Sequence, residues 1–265
     1  MPKRSCSFRF LGAACLVFVV CNTRADNITL TAVADNTLIE NATGIFSNGA
    51  GDAIYVDLIP RQGLGKRRGL VRFDLSTIPS GAVVSAATLT LMLLRTQSET
   101  SQVSVHKLTE SWGEGTSQCD IPCGQGTIST SNDATWLHRF YPGTNWTNTG
   151  GTFSPIVSAT ATVTSAIGTA FNWSGAQLAA DVQSWLVTPA ANAGWILRDE
   201  ASSSSKAYAS RENPAVAQRP QLSITYTVPS PPDNSGDVPL PAWALVILGA
   251  GLLGAATRFS RRPPP

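Results

Sequence analysis

Through the middle of the chain, apolar and polar residues alternate with a period of two, in short runs rich in β-branched residues and separated by Gly, Pro, Asn and Ser. A β-strand sends successive side chains to opposite faces, so such runs read as strands. They are Ile28 to Val33, Ala53 to Ile59, Gly69 to Asp74, Val84 to Leu94, Gln102 to Leu108, Val157 to Val163, Gly194 to Arg198, Ala207 to Ser210 and Leu222 to Val228. In Val84 to Leu94, Ala87, Leu89, Leu91 and Leu93 share one face while Thr88 and Thr90 share the other, as in a half-buried antiparallel strand. One segment departs from this period. Leu178, Val182, Trp185 and Leu186 recur at helical spacing behind Ser174-Gly175-Ala176-Gln177, which resembles a capping box, and predict a short helix packed on the strands. Many short strands at regular spacing predict an all-β fold, an antiparallel β-sandwich or jelly roll with that one helix. No internal repeat is present.

The two ends are unlike the middle. Residues 1–25 hold Lys3, Arg4, Arg9 and Arg24 and no acid, with an apolar run from Leu11 to Cys21 and Thr23-Arg24-Ala25 offering a small-residue cleavage site. They read as a secretory signal, the run being about half the roughly 20 residues of a membrane span. At the other end, Leu240 to Thr257 is apolar, preceded by Val238 and Pro239 and followed by Arg258, Arg261 and Arg262. As a helix this stretch spans about 27 Å, enough to just cross a bilayer, with the Arg cluster on the cytoplasmic side. Residues 228–237 are too rich in Pro, Ser and Gly to pack and read as a linker. That leaves 26–227 as one domain, long enough for one sizeable core. Seven of the 19 Lys and Arg residues sit in the two ends, so 12 face all 17 acids in between. The middle is therefore acidic, which argues against a nucleic-acid partner, since phosphate binding needs concentrated base.

Removing the leader leaves Cys119 and Cys123, which fit a disulfide closing a small loop in an oxidising compartment. A metal would need more ligands than this pair and a distant His supply, and calcium, which would suit a sandwich, has no ligand cluster that the sequence names. No cofactor is expected. Trp112, Trp185 and Trp195 lie in apolar surroundings and are expected in the core. Arg72 lies on the outward face of its strand, where it could pair with an acid, and Arg211-Glu212 could form a charge pair with Asp199-Glu200.

Two segments are candidates for a ligand. Trp136, His138, Arg139, Tyr141 and Trp146 lie in a Gly-, Asn- and Thr-rich stretch whose aromatics periodicity does not explain. They either stack on sugar rings or fold back over one edge of the domain. Arg61, Lys66, Arg67 and Arg68 form a basic cluster in what reads as a Gly-punctuated loop on an acidic domain. Such a cluster suits an anionic polysaccharide, with a solvated loop offsetting Asp57 and Asp74 as the alternative. No catalytic motif occurs, and His106 and His138 are the sole histidines. Tyr141, His138 and Arg139 are the trio that a polysaccharide lyase would have to use; a noncatalytic protein is expected.

Several blocks occur in a telling order: Ala34 to Glu40, Arg68 to Leu75, Thr109 to Gly115, Asp133 to Trp136, Gly150 to Phe153, Asp181 to Trp185, Gly194 to Arg198, Ser210 to Pro214 and Arg219 to Ile224. Together they resemble the DNRLRE-type domain of bacterial and archaeal surface proteins, related to a carbohydrate-binding-module family. The naming hexapeptide is absent; Asp35 to Glu40 matches four of its six letters. The resemblance implies a β-sandwich used for surface display and, in some relatives, for binding acidic or neutral polysaccharide. The tail, Val238-Pro239-Leu240-Pro241 followed by an apolar stretch and terminal arginines, resembles the PEP-CTERM sorting signals of Gram-negative bacteria, although it lacks the motif's glutamate. That resemblance implies an exosortase-like processing enzyme and an exported protein on the cell surface or in the extracellular matrix, at least transiently held in the membrane. A permanent membrane anchor is the alternative.

Overall fold

A computed structural model describes residues 25–61, 64–97, 100–201 and 205–229, which belong to one compact unit. The leader apart from Ala25, the expected membrane helix at 240–257 and the sorting motif Val238, Pro239, Leu240 and Pro241 lie outside the described residues. Among the described residues no helix is long and apolar enough to cross a membrane.

The unit is mostly antiparallel β. Its strands are β1 (Ala25–Ile39), β2 (Phe46–Ser47), β3 (Ala53–Arg61), β4 (Leu64–Phe73), β5 (Val83–Thr96), β6 (Ser101–Leu108), β7 (Thr127–Ile128), β8 (His138–Phe140), β9 (Thr144–Asn145), β10 (Phe153–Val163), β11 (Ala170–Ser174), β12 (Trp195–Arg198), β13 (Lys206–Ala209) and β14 (Gln221–Thr227), with helix α1 (Ala176–Val187) between β11 and β12. The long strand β1 serves two neighbours: residues 25–31 pair with β14 and residues 32–39 with β4, across a register shift between Ala32 and Ala34. Strand β3 does the same, pairing first with β13 and then with β4. The ladder therefore runs β1, β14, β5, β13, β3, β4 and back to β1, with β12, β6 and β10 continuing outward from β4 and β11 added to β5.

Alternation explains the core. Ala87, Leu89, Leu91 and Leu93 of β5 point inward to meet Val71 and Phe73 of β4, Val103 and Val105 of β6 and Leu222 and Ile224 of β14. Helix α1 adds Leu178, Val182 and Trp185, spaced by helical turns. Ser174 does not cap it; Gly175 holds the cap position without a side-chain hydrogen bond. Trp185 meets Trp195 edge-on at 4.6 Å, and the Trp195 indole donates to the Asp181 carboxylate at 2.9 Å. Thus a buried acid on α1 pins the helix to β12.

A second apolar cluster lies on the other side of the same strands. Leu70 of β4 and Ile196 of β12, whose neighbours Val71 and Trp195 face the first core, meet Leu108, Trp112, Trp136 and Trp146. The chain between β6 and β10 folds over this face, so these strands are buried on both sides.

His106 of β6 is buried here, its Nδ1 3.0 Å from the Ser154 carbonyl and its ring 5.3 Å from Phe153. Burial lowers its pKa; the Ser154 hydrogen bond opposes this and nearby Arg198 adds to it, while Glu200 works weakly the other way. The unfolded chain then binds the proton more readily, so this contribution to stability is complete above the ordinary value near 6.5 and is lost as pH falls through it. The expected result is a melting temperature that drops more steeply between about pH 7 and pH 5 in the parent than in His106→Gln, whose carboxylates supply the same acid background. Parallel curves would remove His106 as the cause.

Candidate functional site

Strand β4 resolves the basic cluster. Because neighbours in a strand face opposite ways, Arg67 and Arg68 leave on opposite sides, and neither is in a loop. Arg67 is buried. Its Nε donates to Asp57 Oδ1 at 2.7 Å, its Nη2 to Asp57 Oδ2 and to Ser205, and its Nη1 to the Gly124 carbonyl, while the guanidinium lies 4.8 Å over Tyr55. Burial raises the Asp57 carboxyl above its usual range although Arg67 pulls the other way. Gly124 follows the disulfide between Cys119 and Cys123, whose Cα atoms are 5.5 Å apart, so that small loop closes over the ion pair. Arg68 is equally hidden: it pairs with Glu200 and lies 4.6 Å over Trp136. Lys66, half-buried, reaches Glu200 at 3.6 Å and Arg198 joins it at 2.9 Å. Arg61 ends β3, and its backbone pairs with Leu64. The expectation of a solvated basic loop is therefore corrected: Gly65 and Gly69 are strand residues, and the charges of Lys66, Arg67 and Arg68 meet acids within the fold.

Of the two readings of the aromatic stretch, the structure favours aromatics that fold back over the domain. Trp136 and Trp146 are only 6% and 5% exposed, so neither offers a free face to a sugar. Trp146 donates to the Thr135 carbonyl at 2.9 Å, and Gly150, at φ +82°, passes so close to Trp136 that an added Cβ would lie 2.8 Å from the indole. These aromatics exist to cover Leu70 and Ile196. His138 and Tyr141 do meet, ring to ring at 5.1 Å, and Thr135 holds the His138 Nδ1 at 3.0 Å. Arg139 leaves on the other side of β8, where its Nη1 donates to the Ser111 carbonyl and hydroxyl at 3.0 Å. The trio that a lyase would need does not converge.

Arg72 stands on the outward face of its strand, as alternation predicts, but lacks the acid partner expected of it, and sequence reading did not name it as a binding residue. Among the described residues its guanidinium has neither an ion-pair nor a hydrogen-bond partner, and it lies 5.2 Å over the Trp112 ring. It stands in an open groove of about 550 Å³ lined by Val33, Trp112, Glu114, Ser131, Asn132 and Phe140. Arg139 flanks the groove through Ser111 and Phe140, with its guanidinium 5.1 Å over the Phe140 ring. Glu114, the one acid in the lining, already has both oxygens at 2.6 Å from Arg211. Burial lowers the Arg72 pKa while Glu114 opposes that shift. The groove thus holds a half-buried cation whose charge the protein leaves open to an anion. The signal in the sequence was alternation alone, which sets Arg72 opposite Val71 and Phe73.

Arg211 also overturns the expected pairing with Asp199-Glu200. Its guanidinium goes to Glu114 and to Glu212, and its backbone N–H donates to Asp35 Oδ2 at 2.6 Å. No family model matches the chain, and a search of curated proteins gives no match.

Proposed function

We propose that this is a noncatalytic, exported surface protein whose β-sandwich binds extracellular polysaccharide carrying carboxylates, through the groove at Arg72. The observation that carries this reading is the guanidinium of Arg72, laid on Trp112 without an acid or hydrogen-bond partner. A planar fork held on an aromatic meets a carboxylate in two hydrogen bonds and leaves little side-chain entropy to lose. Arg139 and the polar groups of Ser111, Ser131 and Asn132 would meet sugar hydroxyls. The resemblance to DNRLRE-type domains supports the same class of ligand. The tail would be handled by an exosortase-like enzyme or remain in the membrane as an anchor.

An affinity-gel screen with carboxylated and neutral polysaccharides tests this. Arg72→Met is expected to weaken binding of the carboxylated polymer by about 10- to 100-fold, the range of a charge-assisted hydrogen bond, with an unchanged melting temperature. Rising salt should weaken the parent too. A surface-display role without a ligand is the alternative that the burial of Trp136 and Trp146 favours; retention of no polymer by the parent chain would establish it for the panel used.

A further inference from the structure

Three segments far apart in sequence bring carboxylates together: Asp35 in β1, Glu114 between β6 and β7, and Glu212 after β13. Each offers an oxygen within 4.8 Å of the others. Asp35 is fully buried, and its Oδ1 has no hydrogen-bond partner; Glu212 Oε2 is likewise buried and unpartnered. Leaving such atoms unmet is costly inside a protein, more so when they are charged. Arg211 supplies one positive charge against these carboxylates, through Glu114 and Glu212 Oε1, and donates to neither of the two empty oxygens. Three carboxylates less one guanidinium leave the charge that one divalent cation neutralises.

We propose that Asp35, Glu212 and Glu114 bind a calcium ion. The donors are all carboxylate oxygens, with no nitrogen or sulfur, which selects a hard cation over zinc. Their spacing lies within the reach of two Ca–O bonds of about 2.4 Å, and water completes the shell. The ion would tie β1 to the segments before β7 and after β13, beside the groove that Glu114 also lines.

The test is thermal melting of the purified full chain, stripped with a chelator and then titrated with calcium chloride to about 10 mM, above the ~1 mM limit typical of extracellular calcium modules. Magnesium chloride and sodium chloride of equal ionic strength serve as arms. The midpoint is expected to rise with calcium by roughly 3–5 °C per tenfold increase once binding begins. Asp35→Asn and Glu212→Gln should each lose that rise. Asp35→Asn should also melt above the parent in chelator, because it removes one of the like charges, so loss of the response cannot be ascribed to a damaged fold. An equal rise with sodium chloride means screening alone and overturns the proposal. So does a full calcium response in both variants, or no response in the parent.

Discussion

Replacing Arg67 by Met is expected to destabilise the domain by about 3–5 kcal/mol, read from urea or thermal unfolding. The Arg67 fork meets Asp57 with both carboxylate oxygens engaged, and Asp57 is wholly buried. Removing the cation leaves a buried carboxylate whose desolvation nothing offsets. Two further results should follow. The deficit should shrink at low pH, where Asp57, already raised by burial, takes up a proton. Second, Asp57→Asn combined with Arg67→Met should recover part of the loss, since the pair itself adds little over an apolar replacement. A single variant within about 0.5 kcal/mol of the parent, the range of ordinary surface changes, would mean that Arg67 lies in solvent. Loss of polysaccharide binding in any Arg67 variant reports unfolding unless the melting curve says otherwise.

Trp136→Ala is expected to cost about 3–5 kcal/mol as well, the range for emptying a buried indole site. Trp136 belongs to the cluster that roofs Leu70 and Ile196, and Arg68 and Gly150 press on it. At temperatures where the variant is still folded, binding at Arg72 should be retained. A variant as stable as the parent but unable to bind sugar would instead make Trp136 a stacking platform, and the assignment of the groove would fall with it.

The nine runs read as strands and the helix were legible because burial on one side imposes a period that sequence carries directly, whereas β11, the two-residue strands and residues 34–39 of β1 were not read as strands. Val84 to Leu94 and the residues of α1 are found where alternation and helical spacing put them. The stretch from Thr109 to Thr152 was not, because what fixes it is tertiary: its tryptophans satisfy the outer face of strands that read as half-exposed. The same cause hid Arg67 and Arg68. A charged pair between glycines looks like a loop until an acid such as Asp57 or Glu200, distant along the chain, is brought beside it. Asp35, Glu114 and Glu212 lay in three separate blocks of sequence that the fold brings into one place.

The placement of β14 has a mechanical side. Residues 221–227 are hydrogen-bonded to β1 on one edge and to β5 on the other, and form the last strand of the described residues. A pull delivered from beyond Thr227 along the strand axis would load both ladders at once, so that many hydrogen bonds must shear together rather than open one after another. Ala25 lies opposite Thr227 in the same ladder, so the first strand of the domain acts as a clamp on its last.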